Sequence, residues 1–236
     1  MDFGSEIAGS NPAASAQFHE RTRPIMSSPD ENMDKTVIDE SDDDSIYFDE
    51  ANDLVFVSDS GIRILSTGKG DDVVRISASE IRDVKTGKGD DKIIITDGSK
   101  IDVVHGGCGN DVIMIKDSTV KCIDGGKGDD TIIVDPGDKY FQCVIDGGSG
   151  NDSLIYKVGS GGGRVVFRGG KGCDRLCVDG SEHNNFVVQT RRGRIVYKSS
   201  GYGDASSKTT RFIVKDVEIL SVSESDVVKK FRIDRR

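Results

Sequence analysis

Six aspartates that close six short glycine-rich motifs are the residues whose type and spacing could do chemistry. From one to the next they lie 19, 20, 19, 22 and 22 residues apart. A carboxylate that returns at a near-constant interval is typical of a repeat protein, in which each unit stacks on its neighbours. Stacking would bring the six carboxylates into one row. They are Asp72, Asp91, Asp111, Asp130, Asp152 and Asp174.

The motifs read TGKGDD at 67–72 and 86–91, GGCGND at 106–111, GGKGDD at 125–130, GGSGND at 147–152 and GGKGCD at 169–174. Glycine stands at the second and fourth positions of all six motifs and at the first position of the last four. Because glycine tolerates positive φ, such a turn can aim several carbonyl oxygens at one point. The glycines are Gly68, Gly70, Gly87, Gly89, Gly106, Gly107, Gly109, Gly125, Gly126, Gly128, Gly147, Gly148, Gly150, Gly169, Gly170 and Gly172.

Carboxylate and carbonyl oxygens together are the hard ligands that calcium prefers. A single turn offers too few oxygens for an ion that takes six to eight ligands, whereas two stacked turns offer enough. Since neighbouring strands lie about 4.8 Å apart, each ion would lie between two turns and contact two aspartates. The motifs therefore predict about five calcium ions, with half-sites at the two ends of the row.

The motifs resemble the hemolysin-type calcium-binding repeats of the RTX (repeats-in-toxin) family, whose consensus is GGxGxDxUx. The resemblance covers roughly residues 45–222 and is most specific over 67–178. It implies a parallel β-roll whose sixth-position aspartates and first four carbonyl groups bind calcium. Family members usually carry calcium turns along both edges of the roll. Here the opposite turns lack the motif, so we expect a single calcium row.

Apolar residues recur at three fixed positions around each motif: two and four residues after the aspartate, and two residues before the motif. This alternation predicts strands with one buried face. We therefore expect an all-β fold, a parallel β-roll or β-helix solenoid of about six to seven coils. The three columns are Val74, Ile93, Ile113, Ile132, Leu154 and Leu176; Ile76, Ile95, Ile115, Val134, Tyr156 and Val178; and Leu65, Val84, Val104, Ile123, Ile145 and Phe167.

The chain divides into four predicted parts. Residues 1–44 lack apolar periodicity and end in the acidic run DESDDD, which indicates disorder. The calcium-binding roll is expected at 45–180, a C-terminal β cap at 181–222 and a basic tail at 223–236. Asp53 lies in register with Asp72 but follows no glycines, which predicts a degenerate first coil that could add one carboxylate.

Lysine holds the third position of four motifs, at Lys69, Lys88, Lys127 and Lys171. This recurrence predicts a partial ladder of lysines beside the carboxylate row. The plainer interpretation is that these lysines are solvated turn residues. The net charge of −9 gives no indication of nucleic-acid binding.

No apolar run has the length of a signal peptide or a membrane span, so we expect secretion without a cleaved signal peptide. The resemblance implies type I export, but the basic C-terminus departs from the C-terminal signals usual for that route. The Ser-, Asn- and Pro-containing N-terminus suits a type III-like route. A cytoplasmic location is the alternative. The five cysteines are odd in number, which argues against a complete disulfide framework.

No catalytic constellation is recognisable in the sequence. The three histidines, His19, His105 and His183, share no motif, and the common nucleophile, zinc and nucleotide motifs are absent. We therefore expect a non-catalytic, secreted calcium-binding protein that acts in adhesion or host interaction. Its partner could be a host surface, an acidic polysaccharide or a protein, and nothing in the sequence indicates an oligomeric state.

Two other functions stay open. One is a β-helix lyase or epimerase that acts on acidic polysaccharide and uses an outward column of Arg63, Arg82, Asp102 and Lys121, which is otherwise a solvated ladder. The other is an injected bacterial effector in which the roll is only a scaffold.

Overall fold

The computed structural model describes residues 33–159, 161–180, 186–191, 194–199, 209–217, 219–224 and 227–232. These residues are all β, as the sequence predicted, and contain no helix. The strands are β1 (Asp34–Asp39), β2 (Ser45–Tyr47), β3 (Asp53–Ser58), β4 (Gly61–Lys69), β5 (Val73–Ser77), β6 (Glu80–Lys88), β7 (Lys92–Thr96), β8 (Lys100–Cys108), β9 (Val112–Lys116), β10 (Thr119–Lys127), β11 (Thr131–Asp135), β12 (Phe141–Ser149), β13 (Ser153–Lys157), β14 (Gly163–Lys171), β15 (Arg175–Asp179), β16 (Phe186–Arg191), β17 (Arg194–Ser199), β18 (Thr209–Lys215), β19 (Ile219–Glu224) and β20 (Val227–Arg232).

The strands form the two sheets of a solenoid of about seven turns. The strands that follow the aspartates, β3 to β15 by odd number, lie side by side in the first sheet, and those that precede the motifs, β4 to β14 by even number, form the second. Neighbouring strands in both series are parallel, and Gly68 pairs with Gly87, which pairs with Gly107. All six motifs therefore stack along one edge, which we call the aspartate edge.

The core lies between the two sheets, and all three predicted apolar columns are buried in it. A fourth buried column was not predicted. It contains Ile62, Ile81, Ile101 and Val120, and Cys143 and Val165 occupy the same face in β12 and β14. In the earlier strands two residues separate this column from its inward neighbour, as between Ile62 and Leu65, whereas in β12 and β14 only one does.

The solenoid extends beyond the predicted roll at both ends. β1 lies inside the segment 1–44, for which we expected disorder, and it pairs in parallel with β3 while Ile38 is buried. At the other end β18 and β19 continue the two sheets in parallel, and Phe212 packs edge-on against Tyr156 with ring centroids 4.9 Å apart. β17 and β20 add antiparallel pairs, so a strand also lies within the predicted basic tail.

Candidate metal centre

The six predicted aspartates form one buried column along the aspartate edge. Each stands directly before or within two residues of a first-sheet strand, and each is at most 1% exposed. The backbone N–H of each of the first five aspartates donates to Oδ1 of the aspartate in the next coil at 2.8–2.9 Å. Asp53 extends the column by one coil, since it is 4% exposed and its N–H donates to Asp72 Oδ1 at 2.8 Å.

The second carboxylate oxygen is the unusual atom of this column. From Asp53 to Asp152, Oδ2 is buried and accepts no hydrogen bond of ordinary geometry from a described residue. The Thr67 and Thr86 hydroxyls lie close enough to the Asp72 and Asp91 carboxyl groups to oppose the rise in their pKa. A buried acceptor without a donor costs about 1–3 kcal/mol, and more when it is ionised. The aspartates with this unpaired oxygen are Asp53, Asp72, Asp91, Asp111, Asp130 and Asp152.

Burial raises the pKa of each of these carboxyl groups, and the carboxylates in neighbouring coils raise it further in most of them. The N–H bonds to Oδ1 oppose the rise but do not cancel it. The pKa reaches about 7 for Asp53, Asp91 and Asp130, about 6 for Asp111 and Asp152, and is raised for Asp72. A nearby cation would remove this penalty on the ionised form.

The second- and fourth-position glycines allow the turns to stack closely. At Gly109, where φ is 132°, a Cβ would lie 1.9 Å from the carbonyl oxygen of Gly89 in the preceding coil. At Gly87 the corresponding distance to the Gly68 oxygen is 2.1 Å. Carbonyl groups at these positions therefore face the next glycine along the stack, and any side chain would separate the coils.

The first-position glycines lie beside the column itself. A Cβ added to any of them would lie 2.4–2.5 Å from Oδ2 of the aspartate in the same turn. The four are Gly106, Gly125, Gly147 and Gly169. The sequence analysis singled out these residues for the backbone freedom of glycine, whereas in the structure they line the space next to the carboxylate.

A second ladder at the fifth motif position was missed by the sequence analysis. The side-chain Oδ1 of each residue accepts the backbone N–H of its counterpart in the next coil, at 2.6–3.0 Å. Apart from Asn52 its members are exposed, so their carboxylate and amide groups reach solvent. The ladder runs through Asn52, Asp71, Asp90, Asn110, Asp129 and Asn151 and ends at the N–H of Cys173.

The third-position lysines lie in register beside this ladder, as predicted, with Cys108 and Ser149 completing the row. All four lysines are exposed, and Lys69 pairs with Glu50. These contacts agree with solvated turn residues.

The opposite edge of the solenoid, which we call the serine edge, carries a different ladder. The hydroxyl oxygens of Ser60, Ser79 and Ser99 accept the backbone N–H of the serine in the preceding coil at 3.0–3.3 Å. Each hydroxyl also donates to a carbonyl oxygen of its own turn at 2.6–2.7 Å. These buried side chains are neutral and have both their donor and acceptor functions used.

Charged residues cover the outer face of the second sheet. In the predicted column, Lys121 pairs with Asp102 at 2.5 Å, Arg63 with Asp44 at 2.5 Å and Arg82 with Asp83 at 3.9 Å, so all four of its charges form ion pairs at the surface. A neighbouring column was not predicted. There His105 Nδ1 lies 3.5 Å from Asp124 Oδ2, and Arg168 Nη1 lies 3.7 Å from Asp146 Oδ2. Asp124 and Asp146 are directly paired across β10 and β12.

The donor atoms along the aspartate edge limit which metals it could hold. Within the described ranges no three His, Cys, Asp or Glu side chains converge on one point. A metal between two turns would thus contact two carboxylates at most and draw its other ligands from backbone carbonyls. All five cysteines are free thiols, including the pair Cys122 and Cys143 on adjacent strands.

Comparison with known proteins gives no match: no protein-family model fits the chain, and neither a curated protein nor a solved structure matches it. In the part of the chain that the structure describes, no helix has the length and apolar character needed to cross a membrane.

Proposed function

We propose that this protein binds calcium along the aspartate edge and that calcium binding stabilises the stacked turns. The observation that carries the proposal is the column of buried carboxylates, in which Oδ2 from Asp53 to Asp152 accepts no hydrogen bond of ordinary geometry. A divalent cation between coils would offset both the unpaired oxygens and the repulsion between like charges.

The chemistry of the donors favours calcium over other cations. The sixth-position ligands are all carboxylates, and the remaining candidates are backbone carbonyls, so the set is entirely oxygen. Zinc prefers His and Cys ligands, and magnesium demands near-ideal octahedral geometry with several waters. Calcium accepts irregular coordination with a variable number of oxygen ligands, which suits a turn made largely of glycine.

Calcium would supply folding free energy because the core is thin. Each buried Val, Leu or Ile contributes about 1.5–3 kcal/mol, whereas ordering costs about 1–2 kcal/mol per backbone residue. The glycine-rich turns carry the larger entropic cost. Binding to the folded state alone would shift the equilibrium toward it.

The proposed cellular role follows from the expected affinity. Sites of this type in extracellular modules have dissociation constants of about 10⁻⁴–10⁻³ M. They would fill outside the cell and stay empty in a resting cytosol. We propose a secreted, non-catalytic module for adhesion or host interaction, in agreement with the resemblance of its motifs to RTX repeats.

The test measures thermal unfolding of the full chain by circular dichroism in three conditions: with calcium, with a chelator, and with magnesium as a control. The calcium concentration is about ten times the largest expected dissociation constant. We expect a higher midpoint of thermal unfolding in calcium than in magnesium or chelator. Equal midpoints in all three conditions, together with no heat of binding in calorimetry, would rule the proposal out.

A second candidate function is catalysis on a polysaccharide by the outer face of the second sheet. The paired Asp124 and Asp146, flanked by His105 and Arg168, are the kind of acid and base groups that such chemistry requires. These four side chains are 39–47% exposed, so a polymer could reach them.

The second candidate is tested by incubating the chain with alginate and pectate and measuring new unsaturated or reducing ends. Activity that disappears in Asp124→Asn and Asp146→Asn variants but persists in a Lys121→Gln variant on the neighbouring column would establish it. Absence of activity on both polymers would leave the calcium module as the sole proposal.

A further inference from the structure

The first position of the motif divides the aspartate edge into two parts. The first two turns begin with Thr67 and Thr86, whereas the last four begin with glycine. The rest of each motif is nearly the same, so this position alone distinguishes the two sets of turns. The inference below rests on the proposed calcium binding and concerns which turns take part.

In the glycine turns two acceptor oxygens border the space that a side chain at the first position would fill. A Cβ on Gly106 would lie 2.4 Å from Asp111 Oδ2 and 2.7 Å from the carbonyl oxygen of Gly125 in the next coil. Both atoms are acceptors, and glycine offers no side-chain donor between them. Two acceptors brought together without a proton are the arrangement that a cation stabilises.

The same arrangement repeats in the following coils. At Gly125 the two distances are 2.5 Å to Asp130 Oδ2 and 2.7 Å to the Gly147 oxygen. At Gly147 they are 2.5 Å to Asp152 Oδ2 and 2.6 Å to the Gly169 oxygen. Three successive spaces between turns thus share one geometry.

In the threonine turns a side chain occupies this position. Thr67 and Thr86 are fully buried, and each hydroxyl donates to the first-position carbonyl of the next coil. The distances are 3.2 Å from Thr67 Oγ1 to the Thr86 oxygen and 3.0 Å from Thr86 Oγ1 to the Gly106 oxygen. In the threonine turns the first-position carbonyl oxygen of the next coil therefore has a side-chain donor, which the corresponding oxygen in the glycine turns lacks.

We propose that Thr67 and Thr86 take the place of a cation in the first two spaces, so that calcium binds only between the turns that begin at Gly106, Gly125, Gly147 and Gly169. The chain then holds three calcium ions, not the five that the number of motifs suggests. The turns that join β4 to β5, β6 to β7 and β8 to β9 are then held together by side chains without metal.

Counting bound ions tests the inference directly. Native mass spectrometry of the full chain in excess calcium is expected to show three ions. Thr67→Gly with Thr86→Gly should raise the number to five, and Gly125→Thr should lower it to two. Thr67→Val with Thr86→Val keeps the side-chain volume, so the number should stay at three while stability in chelator falls.

The outcomes separate this inference from the proposed function. Five ions in the unchanged chain, with the same number in the Thr→Gly variant, would overturn the inference and leave calcium binding intact. No bound ions would overturn both. If the Thr→Gly variant does not fold, hydrogen exchange of the unchanged chain in chelator decides: the inference requires slower exchange at 72–91 than at 111–152, and equal exchange overturns it.

Discussion

The two edges of the solenoid solve the same structural problem with different chemistry. At both, the chain reverses through residues with positive φ, and a buried polar side chain accepts the backbone N–H of the preceding coil. At the serine edge that acceptor is a hydroxyl that also donates to its own turn. At the aspartate edge it is a carboxylate, which has no proton to donate when ionised.

In the coils from Asp53 to Asp152 the difference leaves one carboxylate oxygen per coil without a hydrogen bond of ordinary geometry, whereas the hydroxyls of Ser60, Ser79 and Ser99 on the other edge are all paired. The surplus acceptor makes no hydrogen bond that holds neighbouring coils together. One edge has all its described hydroxyls hydrogen-bonded, and the other has buried carboxylate oxygens without an ordinary hydrogen bond. This contrast is the physical basis for proposing a cation on the aspartate edge only.

The largest expected effect contrasts one glycine from each edge. Gly109→Ala places a Cβ 1.9 Å from the Gly89 oxygen, whereas Gly98→Ala on the serine edge meets nothing closer than Lys139 Nζ at 3.5 Å. Left-handed backbone costs about 1–2 kcal/mol for a non-glycine residue, and overpacking adds about 1–3 kcal/mol. We expect Gly109→Ala to lower the free energy of unfolding by about 3–5 kcal/mol and Gly98→Ala by about 1 kcal/mol.

Urea unfolding of the two glycine variants in excess calcium measures this contrast. Both glycines have positive φ, 132° at Gly109 and 81° at Gly98, so the difference between the two variants combines the close approach of the coils with the larger backbone strain at Gly109. Equal losses of stability would mean that the turns on the aspartate edge can separate without cost.

The next effect concerns the charge of the buried column. Asp111→Asn with Asp130→Asn keeps an acceptor for the N–H of the preceding coil but removes two carboxylates. We expect the increase in unfolding temperature caused by calcium to fall by more than half. In chelator the variant should be more stable than the unchanged chain, because two costly buried charges are gone.

A matched control lies one residue earlier in neighbouring turns of the same edge. Asp90→Asn with Asp129→Asn makes the same chemical change in the exposed fifth-position ladder, where asparagine already occurs at Asn110 and Asn151. Its calcium response should be unchanged. A similar loss of response in both variants would show that calcium is held by surface charge instead of the buried column.

The pH dependence of stability gives a further contrast between the edges. The raised pKa values mean that the folded state binds more protons than the unfolded state between about pH 4 and pH 7. Stability in chelator should therefore be highest near pH 4 and fall as pH rises through 6–7. Calcium should stabilise more at pH 8 than at pH 5. If the unfolding temperature in chelator does not change with pH over this range, burial does not raise the pKa of these carboxyl groups.

The sequence analysis predicted the fold because apolar alternation and glycine spacing are local signals that repeat. It missed the column of Ile62 and Ile81 because two residues, not one, separate it from the next inward residue, which breaks the alternation. It also missed both polar ladders. Asn or Asp at the fifth position and Ser at the opposite turn were visible, but their hydrogen bonds join different coils and depend on register.

The start of the solenoid was also not predicted. The strand Asp34–Asp39 has only a short apolar stretch beside an acidic run, and composition alone favoured disorder. Its order comes from pairing with β3, a contact between residues nineteen positions apart that no local pattern reports. The unpaired Oδ2 atoms could not be predicted from the sequence either. A motif identifies the aspartate but does not show which of its two carboxylate oxygens already accepts a hydrogen bond.

The smallest expected effect lies on the serine edge. Ser79→Ala removes the hydroxyl that accepts the Ser60 N–H at 3.1 Å and donates to the Ser77 oxygen at 2.7 Å. Leaving that buried N–H unpaired should cost about 1–2 kcal/mol of stability. Since no charge changes, the calcium-induced rise in unfolding temperature should equal that of the unchanged chain. A variant that lost stability only in calcium would link the two edges through the core, and the serine ladder could then no longer be treated as independent of the cation.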